Sequence, residues 1–176
     1  SGEWKVTNRW QCDPRWSFFS GVQRNGAACL WNKLVHGDNI TLEFFAGPKM
    51  DQERGKRYEY AADFNAVICA DGQDISSGYS FLFGGWNDSG SQIVRQNKIL
   101  LENERIVIPR KSAIHRRWFH VKLRKRGPQL AFWVDGALVG SVRDETPLDG
   151  RRFGLWTWDN GFMVAQVRVA TDGQMR

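Results

Sequence analysis

Between residues 118 and 169 the chain is a succession of short apolar-alternating segments, each closed by a turn signal, and few folds accommodate that pattern. Phe119, Val121 and Leu123 alternate with His120, Lys122 and Arg124, so an extended segment here has one oily and one basic face. Arg126-Gly127-Pro128 ends it, and residues 130–134 form the next. Asp135-Gly136 then stands between two apolar runs; a type I′ hairpin turn needs positive φ at both central residues, which Asp-Gly supplies. After Asp149-Gly150 come a strand over 153–158, a turn at Asp159-Asn160-Gly161, and a last strand through Val169. The expectation is an antiparallel sheet.

The upstream sequence continues in the same style. Residues 1–27, with turns at Asp13-Pro14 and Asn25-Gly26, hold one or two early strands, and 27–33 is an apolar strand ending in a charge. In the strand over 40–46, Ile40, Leu42 and Phe44 share one face and Thr41, Glu43 and Phe45 the other. Residues 47–57 are a charged loop, followed by a strand that begins at 58 or 62 and closes at Asp71-Gly72-Gln73-Asp74. Further strands are expected over 78–86, 92–95, 99–101 and 106–108, then a basic connector over 109–117 with room for one helical turn. Nothing repeats at a fixed period and no long amphipathic helix is visible. Many short strands at near-regular spacing, in a chain of 176 residues, predict one all-β domain over 1–176, an antiparallel β-sandwich.

Three stretches carry a family likeness. These are Trp118 with its alternating V-x-L, the run F-x-V-D-G-x-L-V from Phe132, and G-R-x-F-G-L-W-T-W from Gly150, closed by valines. With Leu30-Trp31-Asn32-Lys33 and the 40–45 strand, the pattern resembles the concanavalin A-like lectin/glucanase jelly roll, including laminin G-like domains and uncharacterised bacterial families. The resemblance implies a glycan site on a concave sheet. Its candidate ligands are polar or aromatic residues opposite plainly apolar ones: Glu43, Asp63, Asn65, Trp86, Arg95, Trp156 and Trp158. Amides, carboxylates and guanidinium groups hydrogen-bond vicinal hydroxyls, and an indole covers a sugar's apolar face.

The glucanases of that superfamily place their acids as E-x-D-x-x-E on one strand, and no such run occurs here. Glu59 and Asp63 share a strand face, but Asn65 and Val67 follow. The sequence therefore assigns no catalytic residue and leans away from an enzyme. The rivals to a carbohydrate-binding lectin-like module are a polysaccharide hydrolase or lyase, and a protein or polyanion interaction module. For Glu43 and Asp63 an ion pair with Lys33 or Arg95 is the structural alternative, and Trp156 and Trp158 fit inter-sheet core as well as a sugar platform.

The net charge of +6 and pI near 9.5 favour acidic partners, whether nucleic acid, a membrane surface or an acidic glycan, without choosing among them, and no nucleic-acid motif accompanies the charge. The basic run His120, Lys122, Arg124, Lys125 and Arg126, with Arg151-Arg152, reads first as a solvated face and second as a polyanion surface. No apolar run is long enough to span a membrane. Ser1-Gly2 reads as a cleavage scar, so a module cut from a larger, secreted or extracytoplasmic bacterial protein is expected. Cys12, Cys29 and Cys69 are odd in number; buried free thiols are the first reading and one disulfide the second. Loop residues Asp38-Asn39, Asp71, Asp74 and Asp172 offer oxygens to a structural calcium, as such superfamily members carry, or simply make turns.

Overall fold

Alternation of burial along the strands builds the molecule. The structure, a computed structural model, describes residues 3–7, 20–22, 26–48, 63–84, 90–104, 117–158, 161–172 and 174–175. Among the described residues fourteen strands run in order: β1 (Trp4–Thr7), β2 (Ser20–Val22), β3 (Ala27–Asn32), β4 (Ile40–Pro48), β5 (Phe64–Ala70), β6 (Tyr79–Gly84) and β7 (Gly90–Arg95). Then follow β8 (Lys98–Asn103), β9 (Phe119–Arg126), β10 (Gln129–Val134), β11 (Ala137–Arg143), β12 (Arg152–Trp158), β13 (Gly161–Thr171) and β14 (Gln174–Met175). Sheet I has the order β1-β3-β12-β5-β6-β7-β8; sheet II has β11-β10-β9-β4-β13-β14, with β2 also paired to β13. Neighbouring strands are antiparallel, and the two sheets form a jelly-roll sandwich.

The residues read as oily faces are the ones between the sheets. Ile40, Leu42 and Phe44 of β4 and Phe119, Val121 and Leu123 of β9 are buried against Phe64, Ala66 and Ile68 of β5 and Phe81 and Phe83 of β6. Rings meet across the gap: Phe81 and Phe132 edge to face at 5.7 Å, and Phe119 with Phe64 at 5.5 Å and Phe83 at 5.4 Å. Each such buried side chain contributes about 1.5–3 kcal/mol.

The hairpin at Asp135-Gly136 forms as expected, with φ of 50° and 80°. Asp135 also joins it to β9, its N–H donating to the His120 carbonyl and its carboxylate accepting from the His120 N–H, each at 2.8 Å. Gly150 is needed for another reason: a Cβ there would lie 2.0 Å from the Cys69 carbonyl oxygen, in a bulge where Cys69 has φ 54°.

Some boundaries differ from the sequence reading. Strand β4 continues through Gly47 and Pro48, where a loop was expected, because β13 runs antiparallel beside both, with Met163 opposite Gly47 and Phe162 opposite Pro48. A 3-10 turn at Ile75–Ser77 was not anticipated; the Asp74 side chain caps it by accepting from Ser76 N–H. The expected strand over 106–108, and most of the 47–57 loop and the 109–117 connector, lie outside the described residues.

Candidate functional site

The two outer faces of the sandwich are unlike one another. On sheet I the residues that alternate with the core form a second buried cluster of Cys29, Trp31, Val67, Ala70, Leu82 and Trp156. Register orders them into two rows across the strands. One runs Trp31, Gly154, Val67, Ser80, Val94. The next runs Cys29, Trp156, Asn65, Leu82, Gln92, Glu102. Gly154 matters in the first row, since a Cβ there would meet the Trp31 ring at 2.8 Å and the Cys29 sulfur at 2.9 Å.

Four polar atoms in these rows are buried without a hydrogen-bond partner among the described residues: Nε1 of Trp31 and Trp156, Oδ1 of Asn65 and Oε1 of Gln92. Gln92 satisfies its amide nitrogen on Glu102 Oε1 at 2.5 Å, which leaves the carbonyl oxygen over. Two donors and two acceptors thus sit on one face. Buried polar groups are nearly always paired, and an unpaired one costs about 1–3 kcal/mol. All four belong to residues shielded from solvent, so this face is buried at its centre and exposed at the Trp158 end.

Asp63 closes one end of this face. Its carboxylate, 7% exposed, accepts from Thr157 Oγ1 at 2.7 Å, from the Trp158 N–H at 3.2 Å and from the Asn65 amide. It thereby joins the start of β5 to the end of β12 and fixes the backbone that carries Trp158. That indole is 57% exposed, whereas Trp156 two residues earlier is 7% exposed and Asn65 fully buried.

The structure therefore brings together four of the residues nominated from sequence: Asp63, Asn65, Trp156 and Trp158. Two others lie elsewhere, and Trp86 is outside the described residues. Glu43 is on the outer face of sheet II, opposite Lys122 in register, and pairs with Lys122 at 2.8 Å and His120 at 3.4 Å, not with Lys33 or Arg95. The Lys122 hydrogen bond holds its carboxyl below the usual range against the opposing effect of burial. Trp31 and Gln92 were not nominated; their alternation with Leu30 and Ile93 was the available signal.

Arg95 falls on the inner face because it pairs in register with buried Tyr79. Its guanidinium meets Asp144 at 2.8 Å and donates to the Thr146 carbonyl at 3.0 Å, while Tyr79 Oη donates to Asp144 at 2.6 Å and accepts from Leu148 N–H at 2.8 Å. Burial, then the Asp144 hydrogen bond, pushes the phenol up to about 12. Burial opposes ionisation of Asp144, but the Tyr79 and Thr146 hydrogen bonds and the Arg95 charge outweigh it and hold the carboxyl low. The tyrosine's raised value gives stability that is complete below about pH 10, its unfolded value, and lost as pH rises through about 12. The aspartate's lowered value gives stability present above about pH 4 and lost below it. The unfolding free energies of wild type and Tyr79→Phe from urea titrations should differ most between these limits, by about 1–3 kcal/mol, and converge towards pH 12. An unchanged gap at pH 12 would remove the tyrosine from this account.

Cys12, also considered for chemistry, lies outside the described residues. Asp71 accepts from the N–H groups of Gln73 and Asp74, Asp74 caps the 3-10 turn, and Asp172 takes the Asn39 amide. Asp71 and Asp74 thus shape their own turn, and no group of three or more His, Cys, Asp or Glu side chains that could hold a metal ion occurs among the described residues. Cys29 and Cys69 are buried, and burial pushes both thiols up, Cys69 to about 11, so neither is an activated nucleophile. No helix among the described residues is long and apolar enough to cross a membrane.

No protein-family model and no curated protein matches the sequence, but solved structures match the fold over nearly its whole length. The carbohydrate-binding module CBM66 from Bacillus subtilis is 16% identical, with 96% of each chain covered and a TM-score of 0.72. A Bacillus subtilis protein of unknown function with a galectin-like fold is 12% identical, covering 97% of this chain and 90% of its own, at 0.74. The potassium-bound carbohydrate recognition domain of Emp46p is 10% identical, covering 98% and 90%, at 0.69. The chain shares the jelly-roll β-sandwich fold of these structures.

Proposed function

We propose that the chain is a carbohydrate-binding module that takes a polysaccharide or glycan on the outer face of sheet I. The observation that carries this is Trp158, an exposed indole at the edge of a face whose buried Trp31, Trp156, Asn65 and Gln92 hold polar atoms without a partner among the described residues. A sugar hydroxyl donates and accepts at once, so a single ligand class serves both the indole N–H groups and the amide oxygens. Trp158, exposed beside Asp63, offers the apolar surface on which a pyranose or furanose ring stacks. Structural neighbours named as a carbohydrate-binding module and a carbohydrate recognition domain support the same reading. It implies an extracytoplasmic setting, as one part of a larger exported protein.

The acids that the structure describes on this face stand far apart, and Glu59 lies outside the described residues. Asp63 and Glu102 are the carboxylates that bound this face among the described residues, at β5 and β8. Three strand spacings separate those strands, about 14 Å. Glycosidase acid pairs stand roughly 5–9.5 Å apart.

A glycan array read at low and high salt tests the proposal. Retention of a restricted set of glycans at both salt concentrations is expected. Retention of none, or release of sugar products from a bound glycan, would contradict it.

A further inference from the structure

The outer face of sheet II carries a different chemistry, open to solvent. Strand β9 turns Lys122 and Arg124 outward at half-burial and Arg126 exposed, while Val121, Leu123 and Lys125 face in. Alternate residues on a strand stand about 6.6–6.8 Å apart, so these cations form an evenly spaced line. Register extends it sideways: Lys122 lies between Glu43 of β4 and Trp133 of β10, and exposed Arg168 of β13 lies beyond Glu43. Glu43 is the one carboxylate in that row among the described residues, and Lys122 and His120 already hold it.

We propose that this face is a second binding surface, for carboxylated or sulfated polysaccharide, distinct from the sheet I site. Charge complementarity selects a polyanion. The state of the aromatic rings selects which one. The Trp133 ring is covered by the Arg124 guanidinium at 5.0 Å, and Phe45 is stacked with His120 at 5.0 Å. Sequence-tolerant binding of single-stranded nucleic acid depends on aromatic faces free to stack on bases, and these are taken. A sheet face also lacks the protruding helix or ribbon that enters a duplex groove. Anionic groups on a sugar chain need only the line of cations.

The test uses dextran sulfate and polygalacturonate, with neutral dextran and single-stranded oligothymidylate as comparators. Wild type is expected to bind both anionic polysaccharides more tightly than oligothymidylate. The affinity should fall about tenfold or more between 50 and 200 mM salt. Arg124→Glu with Arg126→Glu should lose at least tenfold while keeping the wild-type thermal midpoint and neutral-glycan binding. The same charge change made elsewhere, Lys5→Glu with Lys98→Glu, should lose much less. Glu43→Gln, which removes the opposing carboxylate, should tighten binding severalfold, and Trp158→Ala should leave it unchanged. An equal loss in the Lys5/Lys98 pair, no loss in the Arg124/Arg126 pair, or tighter binding of oligothymidylate would overturn the proposal. None of these results bears on the sheet I reading, which fails or stands on neutral glycans.

Discussion

Asp63→Ala is expected to destabilise the fold by about 3–5 kcal/mol, a large share of the roughly 5–15 kcal/mol that holds a domain together. The buried carboxylate accepts from the Thr157 hydroxyl, the Trp158 backbone and the Asn65 amide. Alanine leaves all three donors without that acceptor and adds nothing in return. The thermal midpoint should fall by roughly 10–15 °C for a chain of this length. Because Asp63 also sets the backbone of Trp158, glycan affinity measured below the midpoint should drop with it. A variant within about 1 kcal/mol of wild type in urea would show that water replaces the carboxylate at little cost.

Trp158→Ala should have the opposite profile. The side chain is mostly exposed, so stability should stay within about 0.5 kcal/mol of wild type. Glycan affinity should fall by about tenfold to a hundredfold, the usual effect of removing a central aromatic from a binding surface. Titration calorimetry with the glycan identified on the array measures it. Full affinity in this variant would take the stacking surface away from β12.

How far the sequence carried this reading depended on whether a property was local. The faces of β4 and β9 were legible because Leu42 and Phe44, or Val121 and Leu123, alternate with charged residues. Asp135-Gly136 was legible because the turn's backbone demands are met by two adjacent residues. Which sheet a face belongs to was not. Glu43 and Asn65 each sit opposite apolar neighbours, yet strand order sends one to sheet II and the other to sheet I. The partner that holds Glu43 is on β9, far along the chain, and only register identifies it. Trp156 and Trp158 share a face by alternation, but their exposures diverge because Trp156 lies between Cys29 and Asn65 and Trp158 at the strand's end. Arg95 looked like a ligand beside a turn, and pairing with Tyr79 turned it inward.

The most direct measurement of the central claim is a proton–nitrogen correlation spectrum, in which each of the nine tryptophans contributes one indole N–H signal. Assigned by single Trp→Phe substitutions and titrated with the glycan from the array, the signals of Trp31, Trp156 and Trp158 should move together and saturate at the calorimetric affinity. Movement confined to Trp133 on sheet II, or none at these three, would contradict a sugar site on sheet I.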